Sequence, residues 1–422
     1  MTGRCIVTLA LACLCLLPAA SQPGVPPAGQ GAPGPDPFLP GAVWYSGGRA
    51  RAPMIAPLTA DSEREWREDL KKIRDLGFNT VRTWVEWSAG GPRRGEYHLE
   101  NLELMLRLAG EAGLRVIVQV YVDSAPDWVG RAYPDGRFTA QGGAAIESQA
   151  APGFCVDHPG VREAVHGFFR AVARVASASP AFHAYDVWSE PAVMNWAQPA
   201  YLPNAQFCYC RHSLARFRAW LQARHQGDLE ALNRRWYRTF TSWDQVEPPR
   251  FGTILTYTDF TDWRVYVGEK IAADLAGRAA AVKSVDPVHP VTSHAPNPSP
   301  VFRTLADAMD ASDDYLMKAA VDYFGTSFYP KLTSPDRDWP LERRALAMDM
   351  VRSVTGDRGF YVGELQAGFG VHGIVIGNAI TPQDLELYSW GMVSRGARAI
   401  SYYAFYPMST GYEAGGYGLI EL

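Results

Sequence analysis

A chain of 422 residues that is 47% hydrophobic and 12% aromatic has enough apolar surface to bury a large core, which excludes intrinsic disorder. Its formal charge is −4 at pH 7, with both signs mixed along the chain and no basic block. That pattern gives no basis for a nucleic-acid or anionic-membrane partner.

The first segment reads as a targeting signal. Arg4 gives a weakly basic start, Cys5 to Leu17 is apolar, and Ala19-Ala20-Ser21 supplies small residues for cleavage. Residues 1–21 are therefore expected to direct export, to a periplasmic or extracellular location. The apolar run is shorter than the about 20 residues a spanning helix needs, and no later stretch qualifies. A lipoprotein signal is the weaker reading, because Cys13 and Cys15 lie inside the apolar run. Residues 22–40 are dense in Pro and Gly and nearly free of large apolar side chains, so they are expected to form a disordered tether. The folded domain is expected over residues 41–422.

From Gly41 onward, short apolar runs alternate with longer amphipathic ones. A strand over 42–45 is followed by a helix from Asp61, its N-cap, to Leu76. Strand 80–84, helix 99–112, strand 115–121, helix 160–177 and strand 184–188 continue the alternation. Helices over 213–224 and 257–285 precede strands 290–293 and 323–328. Helix 341–355, strand 360–363, a helix over 383–395 opened by Thr381-Pro382, and strand 399–404 complete it. Eight strands in this order predict an α/β fold, a (β/α)8 TIM barrel whose strand-to-helix loops carry the chemistry. A doubly wound sheet competes, but no Gly-rich dinucleotide fingerprint follows an early strand. The sequence stops at "GYGLIEL", just after the eighth strand. An eighth helix is thus absent, and the barrel is expected to be C-terminally incomplete, a fragment of a longer protein.

Two acids stand at strand ends: Glu190 in "YDVWSEPAVMNWAQ", closing the fourth strand, and Glu364 in "FYVGELQAGFG", closing the seventh. Across a barrel mouth, two carboxyls about 5 to 5.5 Å apart suit a retaining glycosidase, with one as nucleophile and the other as acid and then base. A lone Glu more often caps a helix or pairs with an Arg; two at matched strand ends favour catalysis. Trp84, Trp87, Trp128, Trp188, Trp196, Tyr329, Trp339, Tyr403 and Tyr406 all fall at or just after strand ends. Aromatic faces stack on pyranose rings, although several of these must simply pack between layers.

Beyond Glu190 the chain runs "PAYLPNAQFCYCRHSLARFRAWLQARHQGDLEALNRRWYRTFTSWDQVEPPR". With "NTVRTWVEWS", "AGLRVIVQVYVDSAPDWV" and "GYEAGGYGL", it resembles glycoside hydrolase family 42, the barrel β-galactosidases. The resemblance implies Glu190 as acid/base, Glu364 as nucleophile, and Arg82, Ser189, Tyr329, His372 and Glu413 at the sugar. It also implies further domains and a homo-oligomer in the full-length protein. Several features depart from the family. Ser189 replaces an Asn that reaches the sugar 2-hydroxyl, and the Arg before the loop cysteine is missing from "AAPGFC". His372 stands for a Trp, a Trp before "TSWD" is deleted, and Gly416 replaces the His that trails Glu413. Such changes bear on the choice of sugar more than on bond chemistry, which the two carboxylates perform without a cofactor.

Past the signal only Cys155, Cys208 and Cys210 remain, so the three cannot all pair internally. Family members hold a structural zinc with four cysteines; here Ser213 takes the last position, and His212 is the nearest substitute ligand. In an oxidising compartment, a disulfide from Cys155 to Cys208 or Cys210 is the alternative. His294 is balanced between donating to a sugar hydroxyl and a loop hydrogen bond, and Arg82 between substrate or nucleophile contact and an interior ion pair. Asp186 reads as structural. The sequence thus predicts an exported β-galactosidase-like glycoside hydrolase. Another pyranosidase, such as an α-L-arabinopyranosidase, and a non-catalytic carbohydrate-binding protein are the rivals.

Overall fold

The computed structural model describes residues 38–48, 54–148, 151–194, 206–250, 258–296, 312–332, 338–372 and 375–420. The signal, most of the tether and Trp196 lie outside the described residues. In chain order the first half contains β1 Gly41–Trp44, α1 Ser62–Asp75, β2 Thr80–Glu86, α2 Trp87–Gly90, α3 Glu100–Glu111, β3 Arg115–Tyr121, α4 Asp127–Ala132, α5 Pro159–Ser177 and β4 Phe182–Ser189. The second half contains α6 Arg211–Arg224, α7 Leu229–Trp236, α8 Thr258–Lys283, β5 Val291–Ala295, α9 Asp314–Lys318, β6 Tyr323–Phe328, α10 Leu341–Thr355 and β7 Phe360–Gln366. A hairpin of β8 Val371–His372 and β9 Val375–Ile376, helix α11 Pro382–Ser394 and β10 Ala397–Tyr403 follow.

Eight parallel strands close in the order β1-β10-β7-β6-β5-β4-β3-β2, so the fold is the expected (β/α)8 barrel. Strand residues facing outward, such as Val81, Val116 and Val118, pack on Leu70, Leu102 and Phe168 of the helices in one continuous core. No helix among the described residues is long and apolar enough to cross a membrane.

Two local expectations change. Phe38 to Pro40, read as the end of the tether, belong to the fold: Ile400 N–H donates to the Pro40 carbonyl at 3.0 Å, and the Phe38 ring lies 5.1 Å from that of His183. Asp61 sits at the N-cap of α1, but its side chain makes no capping bond; it pairs instead with Arg64 at 3.1 Å. At α11, Thr381 and Asp384 do form a reciprocal capping box.

Irregularities in β4 and β7 aim the site. Between Asp186 and Trp188, β4 advances two residues while β5 advances one, and between Val362 and Glu364, β7 does the same against β6. Each is a bulge with one extra residue, Val187 and Gly363. Asp186 and Ser189, three apart, therefore both face the barrel interior, and Trp188 packs outward, 3.5 Å from the Arg278 guanidinium of α8. Gly363 is dictated by its neighbour, since a Cβ there would lie 2.3 Å from the His294 ring.

Candidate active site

Glu364 follows the β7 bulge, is 4% exposed and takes contacts on both oxygens. Ser189 Oγ donates to Oε1 at 3.1 Å, and Arg82 Nη1 and His294 Nε2 each lie 3.6 Å from the same atom. Tyr329 donates its hydroxyl to Oε2 at 2.7 Å. Burial opposes the charge, but the His294 contact, the Arg82 charge and the Tyr329 bond outweigh it and hold this carboxyl below its usual range. Burial and then the Glu364 charge push the Tyr329 hydroxyl well up, so it stays a donor.

Arg82 projects from β2 into the barrel and is 0% exposed. It donates to the Gly363 carbonyl and to Gln119 Oε1, and to Asp186 Oδ2 at 2.9 Å. This places Arg82 behind Glu364, in the interior ion pair with Asp186 and within 3.6 Å of the Glu364 carboxylate.

Glu190 directly follows β4. Its φ of 51° is a left-handed conformation uncommon for a residue with a side chain and characteristic of functional sites. Its N–H donates to the His294 carbonyl at 2.9 Å, which ties the turn to the end of β5. Burial and then the charge of Glu413 raise the Tyr417 hydroxyl, with smaller contributions from Glu364 and Glu190. Glu190 and Glu364 both stand at the C-terminal ends of parallel strands of the one closed barrel, and so at the same mouth.

Around that mouth Trp44, Trp84, Tyr121, Tyr403 and Tyr417 form an aromatic cluster, with Tyr329 against it. Trp44 lies 4.4 Å from Trp84 and 4.2 Å from Tyr403 between ring centroids. Tyr403 donates to Glu413 Oε2. Although Glu413 keeps part of its surface open, burial of the carboxyl group pushes its pKa up to about 7, opposed by the Tyr403 bond and reinforced by Glu364. Of the sugar-facing aromatics expected from sequence, Trp84, Tyr329 and Tyr403 are at the mouth. Trp87 and Trp128 pack on each other, Trp339 packs on Phe328, and Tyr406 donates to Asp69. Trp44, Tyr121 and Tyr417 went unforeseen, although the first two end their strands. His372 has its backbone in β8; its side chain lies outside the described part. Another cavity, lined by Trp87, Asp123, Phe154, Trp188, Lys270 and Arg278, contains neither Glu190 nor Glu364. It lies on the outward side of β4, away from this chemistry.

Cys155, Cys208 and Cys210 converge. All are buried and free, with sulfurs within 4.8 Å of one another. Ser213 Oγ lies 3.3 Å from Cys155 Sγ and 3.4 Å from Cys210 Sγ, and donates to Asp157 Oδ2 at 2.6 Å. His212 does not join them. Its Nε2 is 2.7 Å from Asp135, because it sits about 100° around α6 from Ser213. Asp135, His158 and His212 make a cluster of their own. His158 Nδ1 accepts from the Gly160 and Val161 N–H groups. Its proton is therefore on Nε2, aimed at Asp135, and no lone pair is left there for a metal.

The sequence profile of a family described as Beta-galactosidase (Glyco_hydro_42) matches residues 59–421. The chain is 24% identical over 358 residues to β-galactosidase BgaA of a Thermus species, covering 80% of this chain and 52% of BgaA. It is 24% identical to β-galactosidase GanA of Bacillus subtilis over 54% of this chain and 33% of that protein. Among solved structures, the β-galactosidase of Marinomonas ef1 superposes with a TM-score of 0.71 at 20% identity, over 85% of this chain and 54% of that one. That of Bacillus circulans gives 0.72 at 18% identity, over 90% and 53%. The chain thus spans about half the length of BgaA and of these two structures, and a third of GanA.

Proposed function

Starting from a chain that belongs to glycoside hydrolase family 42, we propose that it is a retaining glycosidase that removes terminal β-D-galactosyl groups by double displacement. The observation that carries this reading is the setting of Glu364: a nearly buried carboxyl group that His294, Arg82, Ser189 and Tyr329 all meet, at the same barrel end as Glu190. In the first step Glu364 attacks the anomeric carbon while Glu190 protonates the departing oxygen. In the second, Glu190 removes a proton from the water that displaces Glu364. Tyr329 fixes one Glu364 oxygen, and the Arg82 and His294 charges hold the other against protonation. Trp44, Trp84 and Tyr403 supply faces for the sugar, and Glu413 a partner for its hydroxyls. Export, read from residues 1–21, would place the reaction outside the cytoplasm.

The test is release of nitrophenol from aryl glycosides, β-D-galactoside and α-L-arabinopyranoside included, by wild type and Glu364→Ala. Turnover of the galactoside by wild type, lost by at least about a thousandfold in the variant, supports the reading. Preference for the arabinopyranoside would change the sugar, and silence of folded wild type would leave a carbohydrate-binding protein.

The three cysteines fit a structural zinc. Three close sulfurs supply three of the four donors a structural zinc takes, and the fourth position, beside the Ser213 hydroxyl, would fall to a water. Cys155, Cys208 and Cys210 would hold the ion, which would tie the loop before α5 to the start of α6 and take no part in bond cleavage.

A further inference from the structure

Arg82 is a cation at every working pH, whereas His294 is one only if its surroundings make it so. The His294 ring is 0% exposed and meets polar groups from three strands. Asp186 and Ser189 come from β4, Glu364 and Tyr361 from β7, and Arg82 from β2. Nδ1 is 3.1 Å from Asp186 Oδ2, an ion-pair contact without aligned hydrogen-bond geometry. Nε2 is 3.1 Å from Ser189 Oγ. Because Ser189 gives its only proton to Glu364, its oxygen must accept from Nε2–H, and the Asp186 carboxylate calls for a second proton on Nδ1. Gly363 packs directly on the ring, where any side chain would collide.

Charge balance points the same way. Asp186 and Glu364 bring two negative charges and Arg82 one positive, all in the barrel interior. With both carboxylates ionised, a protonated His294 makes the cluster neutral, and an uncompensated buried charge is strongly disfavoured. Burial alone favours the neutral ring, but Asp186 and then the Glu364 contact raise its pKa to about 9 against repulsion from Arg82.

Resting on the assignment of Glu364 as nucleophile, we propose that His294 is a positioning residue: an imidazolium braced by Asp186 that keeps Glu364 ionised and fixed, both directly and through Ser189 Oγ, without touching substrate. A neutral replacement would leave the buried cluster net negative. Glu364, at the open end of the cluster, would then take up a proton at a higher pH.

Two measurements test this. In wild type labelled with 15N-histidine, the ring signal that disappears in His294→Gln should show both nitrogens protonated at neutral pH. A singly protonated ring overturns the proposal. Should His294→Gln not fold, Asp186→Asn carries the same test, since it should shift one ring signal to the neutral pattern; no such shift overturns the proposal. In kinetics, His294→Gln should lower kcat about tenfold to a hundredfold with KM nearly unchanged. It should also move the acid limb of kcat/KM up by about one pH unit. An active wild type whose acid limb is unmoved in the variant overturns the inference alone, even if the melting temperature falls. Wild type inert on every glycoside overturns the nucleophile assignment and the positioning role with it.

Discussion

Glu413 is a carboxyl whose folded-state pKa of about 7 lies well above its ordinary 4.5. Between those values the folded protein binds more protons here than the unfolded chain, so this group makes stability fall as pH rises through the window. Glu413→Gln should remove that decline. Its melting temperature should exceed wild type by more on the alkaline side of the window than on the acid side, as scanning calorimetry at several pH values will measure. Placement was legible where an acid follows an apolar run: Glu190 directly follows β4 and Glu364 lies near the end of β7, as the sequence places them. It was not legible where three-dimensional facing decides. His212 neighbours Ser213 in sequence, yet one helical step turns it to Asp135 and away from the cysteines. Tyr417 joins the mouth from the segment after β10, which no local pattern announces, whereas Trp44 and Tyr121 end β1 and β3 and carried the same strand-end signal as Trp84.

At the scale of elements, the strands tolerate little at their crossing points. A Cβ on Gly325 in β6 would sit 1.5 Å from the Tyr361 carbonyl oxygen of β7, and strand pairing prevents either backbone from yielding. Gly325→Ala should lower stability by at least about 3 kcal/mol, seen as a fall in the denaturation midpoint or as loss of soluble protein. Thr381→Ala, which removes the capping box of α11, should cost only about 1 kcal/mol by the same measurement. The eight barrel strands were readable because buried parallel strands are continuous apolar runs. Their ends were misjudged by up to three residues: β7, read as ending at Gly363, continues through a bulge to Gln366. The short helices α2, α4 and α9 went unread, having too few turns to show a period.

For the molecule as a whole, the cysteine cluster gathers segments far apart in sequence at the outer helical layer. Protein purified without chelator should contain about one zinc per chain. Its removal should lower the melting temperature while the aryl glycosidase activity of the remaining folded protein persists. Zinc near zero by elemental analysis would leave the disulfide from Cys155 to Cys208 or Cys210 as the alternative, which a thiol count under denaturing conditions will read. The barrel could be read from the alternation of elements because each unit repeats the same period. The altered sugar contacts could be read only against the family, because composition carries no trace of which hydroxyl a side chain meets.

The extra residue in β4 works like a reading frame. Upstream of Val187 the strand alternates in one phase, and downstream in the other, so Asp186 and Ser189 face the same side. Deleting Val187 would restore regular alternation and give a better strand by every local measure. Asp186 and Ser189 would then stand two apart and still face the same side; what would carry Ser189 out of reach of Glu364 is pairing every residue of β4 regularly with none removed. A redesign that irons out this bulge at constant length would therefore give a tidier strand with its last residues on the wrong face, whereas one that shortens the strand by a residue would keep the phase.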